Sequence, residues 1–335
     1  MPAGKKAEVS NVHSGNVLFP RTASALGEVG LPGAALLHTD LTTSTQDDLA
    51  ELWLSSGGMP APGLVCGLIA DEQSDGRGRM GRSWFATKDG SLLFSVLIAV
   101  PESVRAELSW VTFAGALAAR AALEKLGANV AISWPNDIVT RLHAAKLAGL
   151  LGEVVSTDAA GNIGVVLGVG INLGLRAEEL PTPTSASLAT AGFPVPSRDE
   201  VAAAYLRELG ARLAALMSAC ESGIGNAAAS GAVVPETRAC HLEASDAEAT
   251  DAEASAAERS ASAAERSGLL AELNATCATL REGITVNRPR DTPVHGRGVQ
   301  ILADGALVVA TTAGDVRIST GEVSLLGRVA PSEGK

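Results

Sequence analysis

Apolar positions recur along this chain with two periods, and the changes of period mark its elements. Between Glu102 and Leu126, the residues Leu108, Val111, Ala114, Ala118 and Leu123 fall at helical spacing, with Arg105, Glu107, Arg120 and Glu124 on the other side. Asp199–Glu221 repeats the pattern, with two acids at its start, where the helix dipole favours them. Asp47–Leu54 continues from a Ser-Thr turn whose hydroxyl can cap a helix. Apolar runs at Leu64–Ala70, Leu92–Val100, Asn129–Trp134, Leu147–Val155 and Gly164–Asn172 predict strands. Helices flanking one mixed sheet make an α/β, or α+β, domain. From Leu269 a short helix leads into Cys277–Arg281. Brief alternating runs follow at Ile284–Asn287, Val294–Leu302, Ala306–Thr311, Val316–Ser319 and Val323–Leu326. Asp304-Gly305 is a hairpin signal between two of them, and Gly314-Asp315 marks another loop. About 50 residues of this kind predict a small C-terminal β-barrel of SH3-like type.

Two stretches lack such patterning. Residues 1–30 are rich in Gly, Ala and Ser and predict a poorly ordered tail. From Gly223 to Ser267 the large apolar anchors vanish, and Ser255-Ala-Ala-Glu-Arg-Ser260 recurs as Ser262-Ala-Ala-Glu-Arg-Ser267. Alanine is too small to supply a coiled-coil seam over so few heptads, so this predicts a solvated insert, disordered or marginally helical. The expected organisation is a tail over 1–30, a main domain over 31–278 carrying the 223–267 insert, and the barrel over 279–330.

With 335 residues the chain can bury a full core and hold two domains. Its net charge of −11 argues against general nucleic-acid affinity, which depends on cations replacing counterions along phosphate. Much of that acidity lies within Glu243–Glu265. The four cysteines, Cys66, Cys220, Cys240 and Cys277, have no paired spacing, and Cys66 and Cys277 sit in apolar runs as reduced core residues. Neither a C-x-x-C pair nor a histidine cluster points to structural zinc. Lys5 and Lys6 precede no apolar segment, so a signal peptide is not expected. Arg120 interrupts the longest candidate span, Val111–Leu123. The expected location is the cytoplasm, without membrane contact.

Chemistry concentrates in Gln73-Ser-Asp-Gly-Arg-Gly-Arg-Met-Gly-Arg-Ser-Trp84, a loop between two apolar runs. Glycine lets backbone N–H groups approach a ligand closely, and arginine adds a planar fork matched to carboxylate and phosphate. A loop with both is suited to wrap an anion such as a phosphate or acyl phosphate. Ser44-Thr-Gln46 lies upstream; Trp134-Pro-Asn-Asp137, Lys146-Leu-Ala-Gly149 with Glu153, and Gly168-Val-Gly-Ile-Asn172 lie downstream.

This ordered set resembles the biotin protein ligases, from about His38 to Gly327 apart from the insert. That family carries a Ser-Thr-Asn/Gln turn, a Gly-Arg-Gly-Arg-x-Gly-Arg-x-Trp loop, a Trp-Pro-Asn-Asp turn, a Lys-x-x-Gly strand and a Gly-x-Gly-x-Asn strand. Gly321-Glu-Val323 matches the closing motif of its C-terminal domain. The resemblance implies a biotin/lipoate ligase-like catalytic domain, with ATP and biotin as substrates and Mg2+. It implies formation of biotinyl-5′-AMP with release of pyrophosphate. Biotin then passes to a lysine of a biotin carboxyl carrier protein, a subunit of an acyl-CoA carboxylase. Some members carry an N-terminal winged helix-turn-helix domain of about 60 residues. Too little chain precedes Ser44 for one, so a single-function ligase without DNA binding is expected, as a monomer or weak homodimer.

Carried over residue by residue, the resemblance makes Lys146 and Arg79 catalytic. Lys146 would bridge the biotin carboxylate and the α-phosphate, two anions whose approach needs a cation between them. Arg77 would contact the carboxylate and phosphate side, Gly78 would lie against biotin, and Arg79 would close the loop over the adenylate. Ser44, Thr45, Gln46 and Gln73 would hydrogen-bond the ureido ring, which offers a carbonyl acceptor and N–H donors. Most members have Asn where Gln46 stands. On the nucleotide side stand Arg79, Arg82, Trp84, Trp134, Asn136, Asp137 and Asn172. Trp134 can cover adenine or biotin with an apolar face, and Asn136 with Asp137 suits Mg2+ and the triphosphate, Asp137 being the metal ligand. The alternatives are a lipoate or octanoate ligase or transferase, which lacks the glycine-arginine loop, and a nucleic-acid-binding basic loop, which the acidic charge disfavours.

Gly76, Gly78 and Gly81 make the loop costly to order, so ligand is expected to fold it at the expense of about 2–5 kcal/mol of binding. Proteolytic nicking between Arg77 and Arg82 is expected to fall when biotin and ATP are added. Equal nicking with and without them removes the loop from ligand binding.

Overall fold

The computed structural model describes residues 13–58, 61–88, 90–229, 261–280, 282–288 and 291–325, and only the backbone at 223–229 and 325. Eight strands form one mixed sheet: β1 (His13–Ser14), β2 (Gly30–Thr42), β3 (Gly63–Gln73), β4 (Ser91–Pro101), β5 (Val130–Ser133), β6 (Asp137–Thr140), β7 (Lys146–Thr157) and β8 (Asn162–Asn172). Their spatial order is β1-β2-β3-β4-β8-β7-β6-β5. Only β2 and β3 run parallel; the other neighbours are antiparallel. The helices are α1 (Pro20–Val29), α2 (Thr45–Ser56), α3 (Ser109–Lys125), α4 (Arg198–Ala229), α5 (Ala263–Arg266) and α6 (Leu269–Thr276). A second, antiparallel sheet holds β9 (Gly283–Asn287), β10 (Val294–Ile301), β11 (Leu307–Thr311), β12 (Gly314–Ile318) and β13 (Glu322–Leu325), in the order β12-β11-β10-β9-β13. None of the described helices is long and apolar enough to cross a membrane.

The main sheet is buried on both faces, which is why β3, β4 and β8 read as nearly continuous apolar runs. One face packs on α1, α3 and α4 and forms most of the core. The other carries a smaller cluster under α2, built from Leu49, Trp53, Val65, Leu68, Leu97 and Val166.

Three expectations need correction. Residues 13–30 are not a featureless tail, although residues 1–12 lie outside the described set. Helix α1 starts at Pro20 and buries Thr22, Ala25 and Leu26. Its first turn is capped from a distance: Asp199 accepts from Arg21 N at 3.1 Å, Thr22 N at 2.8 Å and Thr22 Oγ1 at 2.8 Å. A cap 177 residues away leaves no local signal. Strand β2 follows directly, and its Gly and Pro disguised it.

The 223–267 insert is shorter than expected at both ends. Helix α4 runs on to Ala229, and α5 opens with a capping box between Ser262 and Glu265 while burying Ala263 and Ala264. Arg266 Nη2 donates to Ala219 O at 2.6 Å, which ties α5 to α4. The expectation for residues 230–260 lies outside the described residues. Lastly, Glu102–Leu126 is not one helix. A 3-10 turn at Glu102–Glu107 precedes α3.

The turn joining β10 to β11 fastens the two sheets together. Trp110 Nε1 donates to Ala303 O at 2.7 Å, and Trp134 Nε1 donates to Gly305 O at 3.0 Å. Gly305 has φ +84°, and a Cβ there would lie 2.6 Å from the Phe113 ring. Gly305→Ala therefore combines left-handed backbone strain with overpacking. The expected loss of stability is about 2–4 kcal/mol, read as a lower urea midpoint.

Candidate active site

The site face of the main sheet is made by β8. Its odd positions, Ile163, Val165, Leu167, Val169 and Ile171, enter the large core. On the even positions, facing the opposite way, stand Gly164, Val166, Gly168, Gly170 and Asn172. Each glycine leaves room for a larger neighbour. A Cβ on Gly164 would lie 2.4 Å from the Trp53 indole, one on Gly168 2.9 Å from Gln46 Cδ, and one on Gly170 2.4 Å from the Trp84 indole. The strand is a floor on which α2 and the glycine-arginine loop rest.

Lys146 reaches this face through a bulge. Along β6 and β7, Ile138 pairs with Ala148 but Val139 with Lys146, so Leu147 is an extra residue. Leu147 and Ala148 are both buried in the core, and the irregularity turns Lys146 back toward the site. A further segment pins its backbone: Lys146 N donates to Thr184 O, and Ala186 N donates to Lys146 O, each at 2.8 Å. Lys146 Nζ stands 2.8 Å from Asp137 and 5.7 Å from the centre of the Trp84 ring. Burial pushes the Asp137 carboxyl up, and Lys146 and Arg79 oppose that rise.

Two amides border the same cavity. Gln73 Oε1 accepts from Thr45 N at 2.8 Å and Thr45 Oγ1 at 2.9 Å. A backbone N–H can only donate, so the Gln73 oxygen is fixed inward and its NH2 is left to serve as donor. Gln46 is set in the opposite sense. Its Nε2 donates to Leu151 O at 3.1 Å and to Glu153 Oε2 at 3.0 Å, and both partners can only accept. Its carbonyl oxygen is the group left to serve as acceptor. Ser44 caps α2 by accepting from Gln46 N at 3.3 Å, and Thr45 Oγ1 is 2.7 Å from Ser95 Oγ.

The loop itself is a small hairpin. Gly78 N donates to Arg82 O and Trp84 N to Gly76 O, both at 2.7 Å, and Arg77 bridges to Ser83. Arg77 is not a free cation, since it donates to Asp47 at 2.6 Å and to Glu153 at 3.3 Å. Arg79 reaches inward, donating to Asn136 Oδ1 at 3.3 Å and to Thr320 Oγ1 at 3.4 Å. Burial lowers the pKa of its guanidinium, against the pull of Asp137 and Glu322. Arg82 pairs with Glu322. The second sheet thus supplies a wall through Gly321–Ser324, and the cavity measures about 470 Å3.

All the residues given a ligand-binding or catalytic role from the sequence border this cavity, but not all in the expected manner; Glu153 does not border it. Trp134 is 2 % exposed, and its indole is tied to Gly305, so it is a buried post between the sheets and not a ligand cover. Asn136 is held at both ends, by Arg79 and by donation to Leu150 O, which makes it an orienting residue. Asn172 donates to Ala186 O at 3.0 Å, while its Oδ1 and the Trp84 Nε1 have no hydrogen-bond partner in the protein. The Asn172 oxygen borders the cavity and is a buried acceptor that a ligand could satisfy, whereas the indole N–H lies against Gly170.

The donor set does not build a resident Mg2+ site. Asp137 is already paired with Lys146. Among the described residues the trio of acids and histidine close enough for a metal is His38, Asp40 and Asp71, elsewhere on the sheet. Asp71 there is held by His38, Arg198 and Lys88, which bring its carboxyl down to about 2 against the effect of its burial. Sequence reasoning missed the Pro181–Ser185 segment and His143, which also border the cavity. Neither carries a motif; they arrive by pairing with Lys146 and by the turn after β6.

Residues 40–172 match the model of the Biotin/lipoate A/B protein ligase family. The chain is 37% identical over 176 residues to a biotin--[acetyl-CoA-carboxylase] ligase of Mycobacterium tuberculosis, covering 51% of this chain and 61% of that protein. It is 36% identical over 150 residues to the bifunctional ligase/repressor BirA of Escherichia coli, covering 43% and 44%. The matches thus span between about two fifths and three fifths of these relatives. In fold it is similar to a biotin protein ligase from Aquifex aeolicus in complex with biotin and ATP. That likeness has a TM-score of 0.58 and 22% identity, and covers 87% of this chain and 97% of that one.

Trp53, Trp110 and Trp134 are each at most 2 % exposed, so collisional quenching by iodide reports on Trp84, the remaining tryptophan. Gly170→Ala places a methyl where the Trp84 ring lies. Iodide quenching is expected to rise, with unchanged far-UV circular dichroism and a stability loss near 1 kcal/mol. Unchanged quenching would mean that Trp84 does not rest on β8.

Proposed function

We propose that this chain, whose residues 40–172 match the model of the Biotin/lipoate A/B protein ligase family, is an ATP-dependent biotin protein ligase. The observation that carries the reading is the pair of opposed amides beside a placed cation. Gln73 offers a donor and Gln46 an acceptor, as a cyclic urea requires, while Lys146 and Arg79 supply positive charge to the same cavity. Lipoate has no urea, so this arrangement favours biotin within the family.

In this reading a biotin carboxylate oxygen attacks the α-phosphorus of ATP. The bond to the β-phosphate oxygen breaks, and pyrophosphate leaves with the electron pair. Lys146 lies between the two anions and stabilises the charge as they approach, and Asp137 holds its ammonium in place until they arrive. Trp84 lies beside that ammonium and offers its face to biotin or adenine. Arg79 brings the loop and the second sheet together over the adenylate. Mg2+ enters with the triphosphate, as part of that substrate. In the second half-reaction a carrier lysine amine attacks the acyl carbonyl and AMP leaves. The acceptor in this proposal is a biotin carboxyl carrier protein, and the location is cytoplasmic. Work as a monomer or weak homodimer, with an acidic net charge that disfavours nucleic acid, completes it.

Biotin-dependent release of pyrophosphate from ATP tests the activity directly. Lys146→Gln keeps the stem and removes the charge, so that release is expected to slow by about 10²–10³. Transfer from supplied biotinyl-AMP is expected to suffer less, because its anhydride is already made. Near-equal release by a folded variant would remove Lys146 from the mechanism.

A further inference from the structure

Gln46 differs from Gln73 in how its polarity is set. Gln73 is fixed by the backbone N–H of Thr45, which no substitution other than proline removes. Gln46 has two anchors, the neutral carbonyl of Leu151 and the carboxylate of Glu153. The carboxylate is the stronger acceptor. Its same oxygen, Oε2, also accepts from Arg77 Nη2 at 3.3 Å, and Arg77 in turn holds Asp47 on the first turn of α2. Glu153 pairs with Val166 in the sheet, two residues along β7 from Leu151, which pairs with Gly168. It therefore stands on the site face, one step beyond Gln46 from Trp84 and within reach of Arg77.

We propose that Glu153 is a positioning residue. Its carboxylate holds the Gln46 amide with the oxygen free as an acceptor and ties the loop through Arg77, and in this way it sets selectivity for a cyclic urea bearing N–H groups. This rests on the biotin reading above. Arg77 acts here as the tie between β7 and α2, its charge matched by two carboxylates. Glu153 touches neither substrate, so its effect is transmitted through Gln46 and Arg77.

The test compares biotin with its analogue methylated on both urea nitrogens, by biotin-dependent pyrophosphate release in unmodified protein, Glu153→Ala and Glu153→Gln. In Glu153→Ala the KM for biotin is expected to rise about tenfold, the scale of one charge-assisted hydrogen bond. The KM for ATP is expected to stay within about twofold, and the preference for biotin over the methylated analogue to fall by about tenfold. Glu153→Gln can still accept from Gln46 and is expected to restore both to within about threefold. The Glu153 side chain is 41 % exposed, so its loss leaves the core intact. Should Glu153→Ala nonetheless fail to fold, Gln46→Met, which keeps the stem and removes the amide, is expected to show the same lost preference. Unchanged preference in the folded variant, or a parallel rise in both KM values, overturns the role of Glu153 alone. No biotin-dependent release by the unmodified protein overturns the biotin reading, and this assignment with it.

Discussion

Every group at the cavity depends on one strand being large on one side and hollow on the other. The alternation along β8 sends five branched aliphatic side chains into the core and presents glycine at 164, 168 and 170 on the opposite face. Burial of the first set fixes the register, because a slip by one residue would exchange the two faces. The hollow set admits Trp53, Gln46 and Trp84 to within van der Waals reach of the sheet backbone. A helix, an amide and a loop are thereby brought to a common level, and Lys146 joins them through the bulge at Leu147.

Electrostatics then refines what packing has placed. Arg77 and Arg82 each pair with carboxylates, whereas Arg79 reaches inward and hydrogen-bonds the neutral Asn136 and Thr320, with Asp137 and Glu322 acting on it from farther off. Asp137 is held by burial above the usual carboxylate range and by Lys146 against that trend. The Lys146 side chain is 39 % exposed, and an ion pair open to solvent is weak enough to let the lysine turn toward incoming anions. The division of labour among three arginines of one loop follows from where acids lie on neighbouring elements.

Much of this was legible in the sequence, and the parts that were not share a physical cause. Continuous apolar runs announced β3, β4, β7 and β8, and the alternating runs after Leu269 announced the second sheet. Gly168-Val-Gly-Ile-Asn172 could be read as a motif, and the structure shows why its glycines alternate. Helix α1 escaped notice because its cap, Asp199, is remote in sequence. Trp134 could be assigned to the cavity but not to its actual partner, since the Gly305 carbonyl lies 171 residues away. The roles of Arg77 and Arg79 could not be told apart by spacing, because both occupy equivalent places in the loop and differ only in what surrounds them.

The closure of the cavity by Arg79 on Thr320 and Arg82 on Glu322 joins positions 241 and 240 residues apart. Neither contact can form unless both sheets are in place, because each sheet supplies one of the two partners. The cavity is therefore a joint property of two sheets and belongs to neither alone. The framework of β3, β4, β7 and β8 can keep every one of its own ladder hydrogen bonds and still lack the wall that Gly321–Ser324 supplies. Proximity of two distant stretches of chain, and not secondary structure alone, completes the site.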